Sequence, residues 1–319
     1  MSTRWSGHDM RYFLRAPRTR VSRSIRWLAL LLWAAIPLLT GCPPPVTCLR
    51  CGNFETVGWF SDPAILECSG MVASRSSPGI LWVHNDSGDA ARIFAVQEDG
   101  TLRGIYTLQD ARALDWEDIA WGPCSEGGAP QCLYIGDIGD NGRVRTEVQI
   151  YRVPEPVVPL EGPPVYETIQ GVERFDCRYP DGPRNAETVV VDPESALPYI
   201  VTKEPAGATG VYRFPHFPAP GETVTLEKLG TLASGEYLTG GDVAPDASRI
   251  IVRDNLTAYE YPRLPGQSFA QIFATTPCIK DLAQETQGEA LAIGVSGLEI
   301  FTASEGLGAP IHRASCTAP

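Results

Sequence analysis

Histidine is scarce in this chain, with four in 319 residues, and none stands in an HExxH or other metal-binding spacing. A GxSxG elbow and a glycine-rich phosphate loop are also missing. The zinc-peptidase, serine-hydrolase and nucleotide-binding templates are therefore excluded. No 3.6-residue period is sustained for long, which argues against helical bundles and coiled coils. Positive charge is short as well: 26 Lys and Arg face 38 Asp and Glu, for a net charge of −12. Seven of those arginines lie in the first 41 residues, where Asp9 is the only acid. The remainder is thus still more acidic, repels phosphate backbones and is expected to bind no nucleic acid. What is plentiful is turn formers, 31 Gly and 28 Pro, beside an ordinary globular apolar content of 43%.

The arginine-rich start runs into a thirteen-residue apolar stretch, residues 27–39, followed by Leu39, Thr40, Gly41 and Cys42. Thirteen residues at about 1.5 Å each do not cross a hydrocarbon core of about 30 Å. The three-part pattern instead predicts a signal peptide over residues 1–41. The small residues before Cys42 resemble the lipobox of bacterial lipoproteins, which implies lipidation at Cys42 and an exported protein anchored to the cell envelope, at the outer membrane where there are two membranes. Met10 offers an alternative start, because the residues before it add nothing that the signal needs. Residues 42–52 read as a proline-rich linker that holds a domain, residues 53–319, off the membrane surface.

Eight cysteines follow Cys42, and an even number in an exported chain predicts disulfides. Cys124 and Cys132 flank a turn and are expected to pair across a hairpin. Cys48 and Cys51 have thiol–disulfide spacing but lie in a linker, so a structural staple is expected there rather than redox chemistry or zinc.

One phrase recurs five times: a small or acidic residue, an apolar run, a turn, a second run, an acid, then a third run with an aromatic. First runs are residues 69–72, 117–120, 187–190, 241–244 and 289–292, and second runs are 81–83, 133–135, 199–201, 250–252 and 300–302. Third runs are residues 92–95, 149–152, 211–214, 258–261 and 310–313. Weaker fourth runs fall at residues 105–108, 165–169, 224–229 and 271–273. Short β-branched and aromatic runs between Gly, Pro, Asp and Asn are strands, and a repeated three- or four-strand unit predicts an all-β propeller of five four-stranded blades. Six blades are the alternative if residues 154–184 hide one. The last copy lacks a fourth run, and residues 54–60 are expected to supply it and close the ring.

In a propeller the first strand of each blade lines the channel, so the starts of the first runs and the exits of the second runs share one mouth. That geometry collects Glu117, Asp118, Asp137, Asp140, Glu187, Glu204, Asp242, Glu289 and Glu305, with few cations expected beside them. Clustered carboxylates repel unless protonated or bound to a cation, and a set of oxygen ligands suits Ca²⁺ better than Zn²⁺. Calcium is the expected cofactor. Asp192 and Asp246 sit at the opposite strand ends and are expected to be turn residues. Residues 137–147 depart from an EF-hand loop at Gly139 and in the placement of the glutamate. His84 and Glu289 are the candidate general bases, and His216 is expected on a surface loop. Trp59, Trp82, Trp116 and Trp121 are expected in the inter-blade core, Trp116 being the one best placed to face a ligand.

The segments WVHNDSGD, DWEDIA, YIGDIGDN, YIVTKE and QGEALA resemble uncharacterised bacterial β-propeller proteins, and more distantly the calcium-dependent propeller phytases and phytase-like esterase domains. The resemblance spans roughly residues 66–306. It implies a carboxylate-rich calcium face and, as one possibility for activity, hydrolysis of a phosphoester or ester, with Lys203 and Arg253 as the only channel-side cations for a phosphate. With no complete catalytic constellation, the expected function is a monomeric binding or scaffold module whose ligand or protein partner the sequence does not name.

Overall fold

The computed structural model describes residues 48–318 other than Ala129. The expected signal peptide, Cys42 and the proline spacer lie outside the described residues. Five sheets carry the chain. From the channel outward, blade 1 is Cys68–Ala73, Ile80–Asn85, Arg92–Gln97 and Leu102–Leu108, and blade 2 is Trp116–Pro123, Gln131–Asp137, Val148–Pro154 and Glu173–Arg178. Blade 3 is Ala186–Val191, Pro198–Thr202, Gly210–Arg213 and Glu227–Thr231; blade 4 is Gly240–Val243, Arg249–Arg253, Thr257–Pro262 and Cys278–Asp281. Blade 5 is Gly288–Ile293, Glu299–Ser304 and Pro310–Thr317, completed by Glu55–Trp59 from the other end of the chain. Innermost strands of successive blades touch, and that of blade 5 touches that of blade 1. The chain is a five-bladed β-propeller, and the N-terminal strand closes it as the sequence predicts.

A blade hides its faces only against its neighbours, and five hydrophobic clusters fill the five interfaces. At the closure, Met71, Val83 and Phe94 of blade 1 pack on Ala292 and Phe301 of blade 5. Between blades 3 and 4, Tyr199 stacks on Phe273 at 5.5 Å and meets Phe269 edge-on at 5.2 Å.

Several outer elements differ from expectation. Residues 165–169 do not complete blade 2: Val165–Ile169 runs parallel to Leu102–Leu108 as a fifth strand of blade 1. The true fourth strand of blade 2, Glu173–Arg178, gains its own parallel fifth partner in Thr223–Thr225. Parallel partners need a long crossover, and here it runs through the first three strands of blade 2 and then residues 155–164, which return to blade 1 where Glu155 accepts from Ser74, Arg75, Ser76 and Trp82. Residues 154–184 thus edge two blades rather than form a sixth. Residues 271–273 fall at the end of a short helix, Phe269–Ile272, rather than in a strand. Ser268 and Gln271 form its capping box, and its i, i+3 pair Phe269 and Ile272 is buried.

The expected Cys124–Cys132 disulfide is present. Cys48 and Cys51 are staples to other elements, bonded to Cys278 and Cys316 respectively. Cys68 and Cys177 are buried free thiols, so the expectation that all eight pair is corrected. Trp82 and Trp116 are core, Trp121 is partly buried against the same cluster, and Trp59 is 60% exposed on the closing strand, not core. Trp116 does not face a ligand: it is buried, and its Nε1 donates to Arg112 O.

Candidate metal centre at the channel mouth

Four blades share a local irregularity that builds the mouth. The pairing register between first and second strands shifts across Ser69, Glu117, Glu187 and Glu289. A β-bulge leaves one residue unpaired and re-aims its side chain. The three expected mouth glutamates are thus the bulged residues of blades 2, 3 and 5. Blade 1 has Ser69 in that position, where its Oγ donates to Glu117 O. Blade 4 pairs without a bulge and presents Gly240 and Gly241.

Glu117, Glu187 and Glu289 are almost fully buried. Burial, and then the charges of Glu187, Asp86, Asp115 and Glu289, push the Glu117 carboxyl up to about 11. Glu187 rises to about 7, burial outweighing its ion pair with Lys203. Glu305 rises to about 8 through burial and Glu289 beside it. Asp86 rises to about 6, through burial and then the charges of Asp115, Glu289 and Glu67, opposed by the Ser87 N–H. Asp86, Asp115 and Glu117 each offer an oxygen within 4.8 Å of the other two, and no hydrogen bond from another described residue reaches the Glu117 carboxylate. This trio, from the second-strand exit of blade 1 and the first-strand entry of blade 2, is the tightest carboxylate group among the described residues. Neither Asp86, which follows a second run, nor Asp115, which precedes a first run and shows no signal beyond its DWED context, is among the ligands expected from the sequence.

Other expected ligands are committed elsewhere. Asp118 accepts the N–H groups of Ile119 and of Val189 in the next blade, each at 2.9 Å. Asp242 repeats the pattern with Val243 and Ile293, each at 2.7 Å. Both clamp neighbouring blades together through backbone donors. Asp137 pairs with Arg145 at 2.8 Å and takes the N–H groups of Leu114 and Asp115. Asp140 caps the turn at Val144 and Arg145, and Glu204 pairs with Arg143 at 2.6 Å. The expectation of few cations is therefore corrected: Arg143, Arg145 and Arg184 join Lys203, although their long side chains start in loops whose course the repeat does not reveal. Arg253 is fully buried in an ion pair with Glu285 at 2.7 Å and cannot serve a phosphate.

His84 is fully buried, with Nδ1 against Asn85 O at 2.8 Å and its ring edge-on to Trp116 at 5.7 Å. Burial lowers its pKa to about 4, which leaves a neutral ring enclosed in the wall rather than open at the mouth. His216 lies exposed beside Glu222, and Asp192 and Asp246 accept from the N–H groups of Glu194 and Ser248 as turn residues, all as expected.

Only oxygen donors meet in the trio, with no sulfur or imidazole, which fits calcium and not zinc. Comparison with models of known protein families finds no match to this chain, and comparison with curated proteins finds none either.

Proposed function

We propose that the protein is an envelope-anchored propeller that binds its ligand through a divalent-cation centre at the channel mouth, with Asp86, Asp115 and Glu117 holding calcium. The observation that supports this most is the unpaired, buried Glu117 carboxylate converging with two others. Like charges so close are stable only with protons or a cation among them. Glu187 and Glu289 act as a second rank, and Lys203 beside Glu187 keeps the cation on the blade 1–2 side.

Calcium added at a hundredfold excess over Kd contributes about 2.7 kcal/mol, which for a domain of this size raises the melting midpoint by roughly 5–10 °C. Magnesium does less, because it sheds water reluctantly. Without a cation, Asp86, Glu187, Glu305 and Glu117 hold protons more tightly in the folded state than in the unfolded chain. Their folded pKa values lie above the unfolded ones, so the stability these groups contribute is fully present below about pH 4 and is lost as pH rises from there through about 11. In chelator the melting midpoint is expected to drop across that window, and calcium is expected to flatten the drop. Identical melts in calcium and chelator at every pH would remove the proposal.

Anchoring rests on the lipobox-like residues ending at Cys42. Palmitate is expected to label the wild type and not Cys42→Ala. The second reading, a calcium-dependent phosphoester or ester hydrolase, gains cations in Arg143, Arg145 and Arg184, but these are engaged by Glu204, Asp137 and Asp181. With His84 buried as well, the binding module is favoured. Calcium-dependent turnover of phosphomonoesters or esters that is lost in Glu117→Gln would reverse that preference.

A further inference from the structure

At the far end of the channel from the acidic mouth lies a second polar site of opposite character. Arg75 follows the first strand of blade 1 and lays its guanidinium over the ring of Trp121 in blade 2, with Cζ 5.2 Å from the ring centroid. Its Nε and both terminal nitrogens are buried and have no hydrogen-bond partner among the described residues. The indole Nε1 of Trp121 is likewise buried and unpartnered. Both groups are donors only, so five guanidinium N–H bonds and one indole N–H gather where the described residues supply no acceptor.

The cation is also fixed in place. Glu155 accepts the backbone N–H groups of Arg75 and Ser76 and the hydroxyls of Ser74 and Ser76, pinning the loop that carries the side chain. Burial lowers the Arg75 pKa, and Asp242 in blade 4, then Glu155, are the charges that oppose this. Neither reaches it: no ion pair links Arg75 to a described carboxylate, Asp242 is bound to two backbone N–H groups, and Glu155 is occupied by the loop and by Trp82. A buried donor without an acceptor is costly, and a buried cation more so. Arg75 thus bridges blades 1 and 2 beyond the ends of the first strands that lie opposite the mouth.

The geometry points to a binding site for a small monovalent anion, chloride or a single carboxylate group, held between the Arg75 guanidinium and the Trp121 indole N–H. This site is independent of the calcium centre, and its test is run in chelator so that the mouth is empty throughout. Melting midpoints are measured in sodium chloride, sodium formate and sodium gluconate at one ionic strength. Chloride or formate is expected to raise the midpoint saturably over gluconate in the wild type, with no such rise in Arg75→Met. Trp121→Phe, which keeps an aromatic face but removes the indole N–H, is expected to weaken the apparent affinity at least threefold. As a second readout, bromide is expected to quench a saturable part of the tryptophan fluorescence of the wild type, and that part disappears in Trp121→Phe. A saturable effect of chloride alone assigns a halide, and one of formate assigns a carboxylate. An equal response of wild type and Arg75→Met, or identical melts in all three salts together with no saturable quenching, would overturn the site.

Discussion

Gly139 stands where a methyl group would strike the candidate calcium ligands: a Cβ there falls 2.1 Å from Glu117 Oε1 and 2.5 Å from Asp115 Oδ2. Both contacts are ends of side chains that rotate, so Gly139→Ala is expected to leave the chelated protein within about 1 kcal/mol of wild type. Separating the carboxylates breaks the trio, and calorimetric titration is expected to show calcium affinity reduced at least tenfold. Unchanged affinity would place the cation elsewhere. At this scale the sequence was legible where the repeat repeats. Glu117, Glu187 and Glu289 occupy corresponding positions in three copies, and their convergence followed from topology alone. Asp115 was hidden because its closeness to Glu117 depends on the bulge that re-aims Glu117, and a bulge leaves no mark in the alternation of apolar residues.

Between elements, the two aspartates expected as ligands prove to be fasteners. Asp118 and Asp242 each accept one N–H from the following residue and one from the innermost strand of the next blade. Those strands are channel-lining edges, and an edge N–H with no partner is a cost that a carboxylate two oxygens wide removes twice. Asp242→Ala orphans the N–H groups of Val243 and Ile293, and chemical denaturation is expected to show a loss of about 2–4 kcal/mol. If Asp242 instead held a metal, the mutation would lower calcium affinity and spare the chelated protein. The acidic type and spacing of these residues were readable, but their role was not, because a metal ligand and an N–H acceptor look alike in sequence. The crossover strands were misread for a related reason. Val165–Ile169 has ordinary strand composition, and contacts that sequence does not reveal, the latch of Glu155 onto the blade 1 loop and Arg103 donating to Pro159 O and Gly162 O, hold it to blade 1 rather than blade 2.

For the whole molecule, the seam of the ring is the place where cooperativity is decided. Blades 1 to 4 each take their four antiparallel strands from one stretch of sequence, while blade 5 takes its fourth from Glu55–Trp59, and its closure was legible because one copy of the repeat lacked a strand that residues 54–60 could supply. Hydrogen bonds between Glu55–Trp59 and Pro310–Thr317 alone would leave that seam free to fray. Two disulfides prevent this by spanning 230 and 265 residues, one tying Cys48 to the outer strand of blade 4 and the other tying Cys51 to the last strand of blade 5. Lys280 reinforces the strap by donating to Leu49 O, and the buried Glu260 accepts from Leu49 N–H. In the chain-entropy view a crosslink stabilises more as the loop it closes lengthens. Cys51→Ser/Cys316→Ser is therefore expected to cost about 3–5 kcal/mol, against about 2–3 kcal/mol or less for Cys124→Ser/Cys132→Ser, whose loop spans 8 residues. Denaturant midpoints of the two double variants decide the order. Protease cleavage near residues 54–60, seen only in the first variant, would locate the loss at the seam. Equal midpoints would mean that strand pairing and the cluster around Phe60 and Ile311 already hold the ring shut without the covalent strap.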